Sequence, residues 1–292
     1  MNPLSAPAAA LEVGFTRWPA PAKINLFLHI VGRRADGYHE LQTCFQFLDH
    51  GDDIDIRVRD DGRIQRLLGM DIPPESDLVV RAARLLQSTA GITAGADIAV
   101  HKRIPAGAGL GGGSSDAATV LVALNRLWQA GMSNERLQKL GLGLGADVPV
   151  FVAGRAAWAE GVGERLTFLS GADLPRERIY LIIKPNCSVG TAEVFQAPEL
   201  TRNSPPITIR GFLDEGGRND CTPTVRGRFP AVGRALDWLS MFGDARLTGT
   251  GACIFLGVDT VGEAERILRK MPPDMTGFIA QGLNESPLRG KA

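Results

Sequence analysis

Five glycines fall within seven residues at 107–113, inside the run Pro105-Ala-Gly-Ala-Gly-Leu-Gly-Gly-Gly-Ser-Ser115. A short extended stretch, Ile98 to Ile104, leads into the run. A segment apolar almost all round, Asp116 to Trp128, leads out of it and reads as a helix buried against a sheet. Bare glycine backbone turns tightly and brings N–H groups close to an anion, and the following helix adds its dipole and free N–H groups at the same place. A merely flexible turn accounts poorly for so many glycines at a helix entrance, so the run predicts a phosphate cradle over 105–115.

The kind of phosphate ligand is less constrained. Gly107, Gly109 and Gly112 satisfy the spacing G-x-G-x-x-G. A dinucleotide fold then requires an acidic residue about 20 positions on, at the end of the next strand. Here that region, Met132 to Glu135, opens a helix. The Walker pattern fails as well, because Gly113 stands where its lysine belongs. The loop therefore has no cation of its own, and the phosphate charge must be met by backbone dipoles, Mg²⁺ and residues brought from elsewhere.

Around this loop the chain reads as α+β. Residues 1–18 form a loose arm, and a strand begins at Lys23, where Ile24, Leu26, Leu28 and Ile30 alternate with Lys23, Asn25, Phe27 and His29. Gly32–Gly37 is a turn, a second extended run passes through Phe45 and Phe47, and Ile54, Ile56 and Val58 alternate up to a hairpin turn at Asp61-Gly62. Helices are expected at Asp77–Leu86, capped by Ser76, and from Ser133 toward Gly145, with Pro149 forcing Asp147 and Val148 out of helix. The polar stretch Ser170–Arg178 divides an N-terminal domain, 19–170, from a C-terminal one, 178–290. In the latter, strands at Ile179–Lys184, Cys253–Val258 and Gly277–Ala280 accompany helices at Ala231–Met241 and Glu263–Lys270.

Composition narrows the partners. Lys plus Arg and Asp plus Glu are equal at 32 each, which argues against a nucleic-acid binder. Cys44, Cys187, Cys221 and Cys253 are scattered, with neither disulfide framework nor zinc spacing, as expected in a reducing compartment. His29, His50 and His101 suggest no ligand cluster. No apolar run approaches the roughly 20 residues that span a bilayer. The Ala/Pro-rich N-terminus has no basic region ahead of its apolar residues, so a cytoplasmic chain is expected, monomeric or weakly dimeric.

Three segments together carry a resemblance: Pro21-Ala-Lys-Ile-Asn-Leu26, the glycine loop Pro105–Ser115, and Leu247-Thr-Gly-Thr-Gly-Ala-Cys253. The chain resembles the GHMP kinases. Arg34-Ala-Asp-Gly-Tyr-His-Glu-Leu41 and Leu144-Gly-Ala-Asp-Val-Pro-Val-Phe151 narrow it to the branch acting on 4-diphosphocytidyl-2-C-methyl-D-erythritol in non-mevalonate isoprenoid synthesis. The resemblance covers about residues 18–290. It implies a two-domain fold with the active site in the interdomain cleft, ATP and Mg²⁺ as co-substrates, and transfer to the 2-hydroxyl of that cytidine diphosphate substrate.

The resemblance also implies roles. Pro105, Ala106, Gly107, Ala108, Gly109, Leu110, Gly111, Gly112, Gly113, Ser114 and Ser115 would hold the nucleotide, with Ser114 or Ser115 within reach of Mg²⁺, whose other ligands stay unassigned. Asp147 would be the catalytic carboxylate and Lys23 its cationic partner. Asn25, Tyr38, His39 and Phe195 would hold the cytidine end, with Tyr38 and Phe195 sandwiching the base. Each has a plainer reading: Asp147 a turn residue before Pro149, Lys23 a solvated lysine, Phe195 a core aromatic, Asp116 a helix-dipole partner. Three other functions stay open: a homoserine or mevalonate kinase of the same superfamily, a nicotinamide-dependent dehydrogenase, and a nucleotide-binding module without catalysis.

Overall fold

The computed structural model describes residues 13–68 and 72–291. The first twelve residues of the expected arm lie outside that range, and Thr16–Trp18 already belong to the first strand. In chain order the elements are β1 (Thr16–Arg33), β2 (His39–Arg59), β3 (Ile64–Leu68), α1 (Leu78–Ala90), β4 (Gly95–His101), α2 (Gly112–Leu127), α3 (Asn134–Leu142), α4 (Val148–Ala153), β5 (Ala157–Gly161) and β6 (Arg165–Phe168). After 170–178 follow β7 (Ile179–Pro185), α5 (Thr191–Gln196), α6 (Ile209–Glu215), α7 (Thr222–Arg228), α8 (Pro230–Ser240), β8 (Ala245–Leu247), β9 (Ile254–Val258), α9 (Val261–Leu268) and β10 (Met275–Leu283).

The long strand β2 is the spine of the sheet. One edge pairs antiparallel with β1; the other pairs in turn with β5 at 41–45, with β10 at 47–48 and with β4 at 53–59. Through β10 the sheet continues into β7, β9 and β8 of the C-terminal half. Asp61-Gly62 does turn the chain, but β3 does not fold back on β2; it pairs in parallel with β4.

The alternation expected along β1 breaks at a bulge between Asn25 and Leu28. A bulge re-aims the side chains beyond it. Phe27 consequently joins Ile24 and Leu26 in one core cluster, while Leu28 and Ile30 pack with the C-terminal half. While Leu28 stays in register with Thr43, its N–H donates to Arg218 O and its carbonyl accepts from Asp220 N, which stitches the two halves together.

Helix α2 lies against β1 and β2, with every residue from Ser115 to Leu124 buried. Burying one Val or Leu side chain is worth about 1.5–3 kcal/mol, so this helix anchors the first core. It starts at Gly112, four residues earlier than the apolar pattern implies, because glycines leave no hydrophobic mark on a helix's first turn. Two other boundaries differ. Asp77, rather than Ser76, caps α1 by accepting from Val79 N. Pro149 opens α4 instead of ending a helix, since proline is tolerated in a first turn.

The C-terminal half packs α8 and α9 on β7–β10, with α7 against α8, around a second apolar cluster. The short pieces β5, β6, β8, α5, α6 and α7 have no separate signature in the sequence; each is too short for a period to be read.

Candidate active site

The glycine run closes over the N-terminus of α2. Gly107, Gly109 and Gly111 have φ of 60°, 73° and 73°. A side chain on Gly109 would lie 2.2 Å from the Thr248 carbonyl oxygen, so only glycine permits the contact between this loop and residues 248–253. That contact is tied by Ala252 N donating to Gly107 O at 3.0 Å and Cys253 N to Ala108 O at 3.1 Å. At Gly111 a Cβ would meet the Phe151 ring at 2.8 Å and Lys23 Cε at 3.1 Å. Gly112, Gly113 and Ser114 form the first turn of α2, where N–H groups have no partner inside the helix and face an anion with the helix dipole behind them.

Lys23 is delivered to the same spot by the bulge of β1 after Pro21, where its own N–H turns from the ladder to Leu110 O. Its side chain is buried; its ammonium donates to Asn25 Oδ1 at 2.6 Å and Gly109 O at 3.2 Å, and forms an ion pair with Asp147 Oδ2 at 3.2 Å. Asn25 is oriented in turn by donating from Nδ2 to Thr43 Oγ1. Asp147 occupies the cap position of α4 yet makes no side-chain cap bond; its carboxylate, 31% exposed, turns to Lys23 instead. The plain reading of Asp147 as a capping or turn residue is therefore not the one its side chain adopts.

These residues line one cleft of about 580 Å³. Of the sequence-predicted residues, Lys23, Asn25, Pro105 to Ser114, Asp147 and Phe195 line it, and Ser115, Tyr38 and His39 do not. Ser115 is a correction: its fully buried hydroxyl donates to Pro21 O at 2.6 Å, so it is a tie between α2 and β1 and is not turned to a metal.

The cation that the glycine run lacks is supplied from β4's exit. Lys102 Nζ sits 3.4 Å from where a Gly112 Cβ would be, and bridges Asp52 at 2.5 Å and Asp116 at 2.7 Å. Burial pushes the Asp116 carboxyl up to about 7, against the pull of Lys102 and with the push of Asp52. Sequence reasoning missed Lys102; its position three residues before Pro105 was the available signal. It also missed Thr248, whose hydroxyl accepts from Asn25 N at 3.0 Å and donates to Gly109 O at 3.2 Å.

At the other end of the cleft, Tyr38 and Phe195 are not brought face to face. Tyr38 lies on the turn joining β1 to β2, 65% exposed. Phe195, partly buried on α5, stacks on the His39 ring at 5.1 Å and 26°. Burial and the charges of Arg202 and Arg33 hold His39 below its ordinary pKa. Near them, Thr191 Oγ1 meets Thr250 Oγ1 at 3.1 Å, linking α5 to the 248–253 loop.

The surroundings of the loop overturn the dehydrogenase reading. β4 and β5, the strands before and after α2, do not pair with each other: each lies antiparallel on a separate stretch of β2, and the one parallel neighbour of β4 is β3, which precedes the loop, so no adjacent parallel strand–helix–strand unit frames the G-x-G-x-x-G match.

Comparison with known proteins agrees with this geometry. Residues 77–155 match the family of GHMP kinases N terminal domains and residues 201–275 that of GHMP kinases C terminal domains. A 4-diphosphocytidyl-2-C-methyl-D-erythritol kinase of Halorhodospira halophila is 57% identical over 272 residues, 93% of this chain and 94% of that protein. One of the same name from Alkalilimnicola ehrlichii is 58% identical over 275 residues, 94% of this chain and 93% of that protein. A crystal structure of 4-(cytidine 5'-diphospho)-2C-methyl-D-erythritol kinase superposes with a TM-score of 0.80 at 32% identity, covering 91% of this chain and 99% of that one. A mevalonate kinase structure, at 17% identity and a TM-score of 0.69 over 92% of this chain and all of that one, shares the fold.

Proposed function

The chain belongs to the GHMP kinases, and from that premise we propose that it transfers the γ-phosphoryl group of ATP to the 2-hydroxyl of 4-diphosphocytidyl-2-C-methyl-D-erythritol, a step of non-mevalonate isoprenoid precursor synthesis. Similarity to kinases of that name over nearly the full length favours this substrate. The mevalonate and homoserine kinase structures, at 14–18% identity, support the fold only. Within the site, the observation that carries the reading is the Lys23–Asp147 pair, 3.2 Å apart beside the open turn of α2.

In this reading the N–H groups of Gly112, Gly113 and Ser114 hold the phosphates of ATP, and Lys102 adds charge at their flank. Asp147 orients the acceptor hydroxyl and takes its proton as the new P–O bond forms and the bond to ADP breaks. Lys23, 3.2 Å from Asp147, lies where the negative charge of the travelling group spreads. A loose phosphoryl-transfer transition state asks more of positioning than of base strength, so the fixed placement of Asp147 is its main contribution.

Mg²⁺ fits the same place in part. Among the described residues no group of three or more His, Cys, Asp or Glu converges to hold a metal. Mg²⁺ prefers oxygen ligands and keeps water and substrate phosphate in its shell. Ser114, which lines the cleft, is the residue whose hydroxyl oxygen would hold it beside the substrate phosphates; bound there, the ion would neutralise phosphate charge.

The cytidine end would rest on Phe195, His39 and Tyr38, away from α2, while Asn25, assigned to the substrate as well, sits at the reacting end with its Oδ1 on Lys23. We further propose a division between domains near 170–178, a monomer or weak homodimer, and action in the cytoplasm. Equal numbers of acidic and basic residues give no support to a nucleic-acid partner, and no helix of the described residues is long and apolar enough to cross a membrane. The deciding assay is ADP release from Mg-ATP. ADP should form only when the cytidyl substrate is added; equal turnover on mevalonate or homoserine would refute the substrate, and ATP binding without any turnover would leave a non-catalytic module.

A further inference from the structure

Arg202 is tied more completely than any neighbour in its loop. A guanidinium has five N–H donors. All five are used: Nε donates to His39 Nε2 at 3.0 Å, Nη1 to the carbonyls of Pro198 and Leu200, and Nη2 to the carbonyls of Phe195 and Ala197. One side chain thus holds both members of the His39–Phe195 stack, His39 by its ring and Phe195 by its backbone.

This contact decides a proton. A guanidinium cannot accept a hydrogen bond and does not deprotonate in proteins, so the His39 nitrogen facing it must be the acceptor. The single ring proton of a neutral imidazole then sits on Nδ1, because the partner of one nitrogen sets the state of the other. A second proton, on Nε2, would point an N–H at an N–H and a cation at a cation. Arg33, the β-ladder partner of His39, adds a second positive charge on that side. Nδ1 makes no hydrogen bond to the described residues and is not among their sealed, unpartnered atoms.

We propose that Arg202 is the positioning residue of the pyrimidine end: it holds His39 stacked on Phe195 as the neutral Nδ1–H tautomer, so that the ring offers one fixed donor to an acceptor atom of the base edge. The proposal rests on the reading that His39 and Phe195 hold the base. A fixed donor spares the ring a choice between tautomers on binding, and it keeps a positive charge off the surface on which the base lies.

Two measurements test it. In wild-type protein, ¹⁵N NMR of the His39 ring should give an unprotonated Nε2 and a protonated Nδ1 at about pH 8, with the ring taking its second proton only below the ordinary 6.5 midpoint. In Arg202→Leu, KM for the cytidyl substrate should rise about tenfold with kcat within about twofold and KM for ATP unchanged, the pattern of lost uniform binding. That KM should climb further below about pH 6.5, as the released His39 takes a proton. His39→Ala and Phe195→Ala separate the two levels. If neither changes KM for the cytidyl substrate, the base-site reading itself is wrong. If they raise it while wild-type His39 carries its proton on Nε2, or titrates near 6.5, or Arg202→Leu leaves KM unchanged, the base site stands and the role of Arg202 is overturned. The NMR result does not depend on whether Arg202→Leu folds.

Discussion

The two ends of the cleft are built by opposite means. At the phosphate end the contacts are backbone: a loop of positive-φ glycines, a helix terminus, and peptide bonds linking 107–108 to 252–253. The side chains that enter, Lys23 and Asn25, are buried and fully partnered. At the pyrimidine end the contacts are side chains carried on a turn and on a six-residue helix, with Tyr38 well exposed and His39 held by Arg202. Phosphate chemistry requires fixed geometry within tenths of an ångström, whereas a flat base can be held by stacking, which tolerates small shifts. The difference teaches that the reacting end should be brittle to substitution and the recognition end should yield gradually.

The largest effects are therefore expected at the reacting pair. Asp147→Asn keeps shape and hydrogen bonding but loses the charge; kcat should fall by about 10²–10⁴, with ATP affinity nearly intact in an equilibrium titration. Lys23→Met should lose a comparable factor. Gly111→Val comes next. It puts a β-branched residue at φ 73° against Phe151 and Lys23, so it should lower both the melting temperature and ATP affinity, the backbone strain alone being about 1–3 kcal/mol. Gly113→Ala, whose Cβ meets nothing nearer than Leu78 at 3.4 Å, separates these effects: the fold should be untouched, and any loss of ATP affinity then reports on the phosphates alone. A Gly111→Val protein with normal ATP affinity would remove the loop from the site.

At the recognition end, Phe195→Ala should raise KM for the cytidyl substrate by the equivalent of about 1–3 kcal/mol with little change in kcat, as for a lost base stack. Tyr38→Ala should raise it less, because Tyr38 has no packed position to lose. Equal loss of kcat and kcat/KM in Phe195→Ala would break the contrast between the two ends.

The smallest effect concerns Asp116. Its carboxyl, pushed up to about 7 by burial, is protonated in the folded protein over a range where an unfolded one is ionised. It therefore contributes stability that is full below about 3.8, the ordinary value, and is lost as pH rises to about 7. Ionisation also places a negative charge beside the phosphates, so ATP affinity should weaken as pH rises through 7. Asp116→Asn should flatten both slopes, with affinity changes of only a few-fold. An unaltered pH profile in that variant would exclude Asp116 as their source.

Much of the phosphate end was legible in the sequence because its determinants are local. Glycines in a row, a following apolar helix and the triplet Pro21-Ala-Lys23 each declare themselves within a few residues. Lys102 had only its closeness to Pro105 to mark it; its role depends on Asp52 and Asp116, 50 residues before and 14 after it. Ser115 misled for the converse reason: beside Ser114 in sequence, it lies on the other side of α2, against Pro21. The bulge that redirects β1 after Asn25 had no signal either: the backbone beyond it, at Leu28, bonds Arg218 and Asp220 on a distant segment. The stack of His39 on Phe195, tied by Arg202, likewise joins positions more than 150 apart.

The most direct test of the central claim, that Lys23 and Asp147 act on the acceptor hydroxyl as one unit, is a double-mutant cycle on kcat with Asp147→Asn and Lys23→Met, ATP affinity being measured separately. Residues acting as a unit are non-additive, so the double variant should be little slower than the slower single one. If the two losses multiply in full, the residues act independently, and an Asp147→Asn enzyme near the wild-type rate would return Asp147 to the role of a turn residue before Pro149.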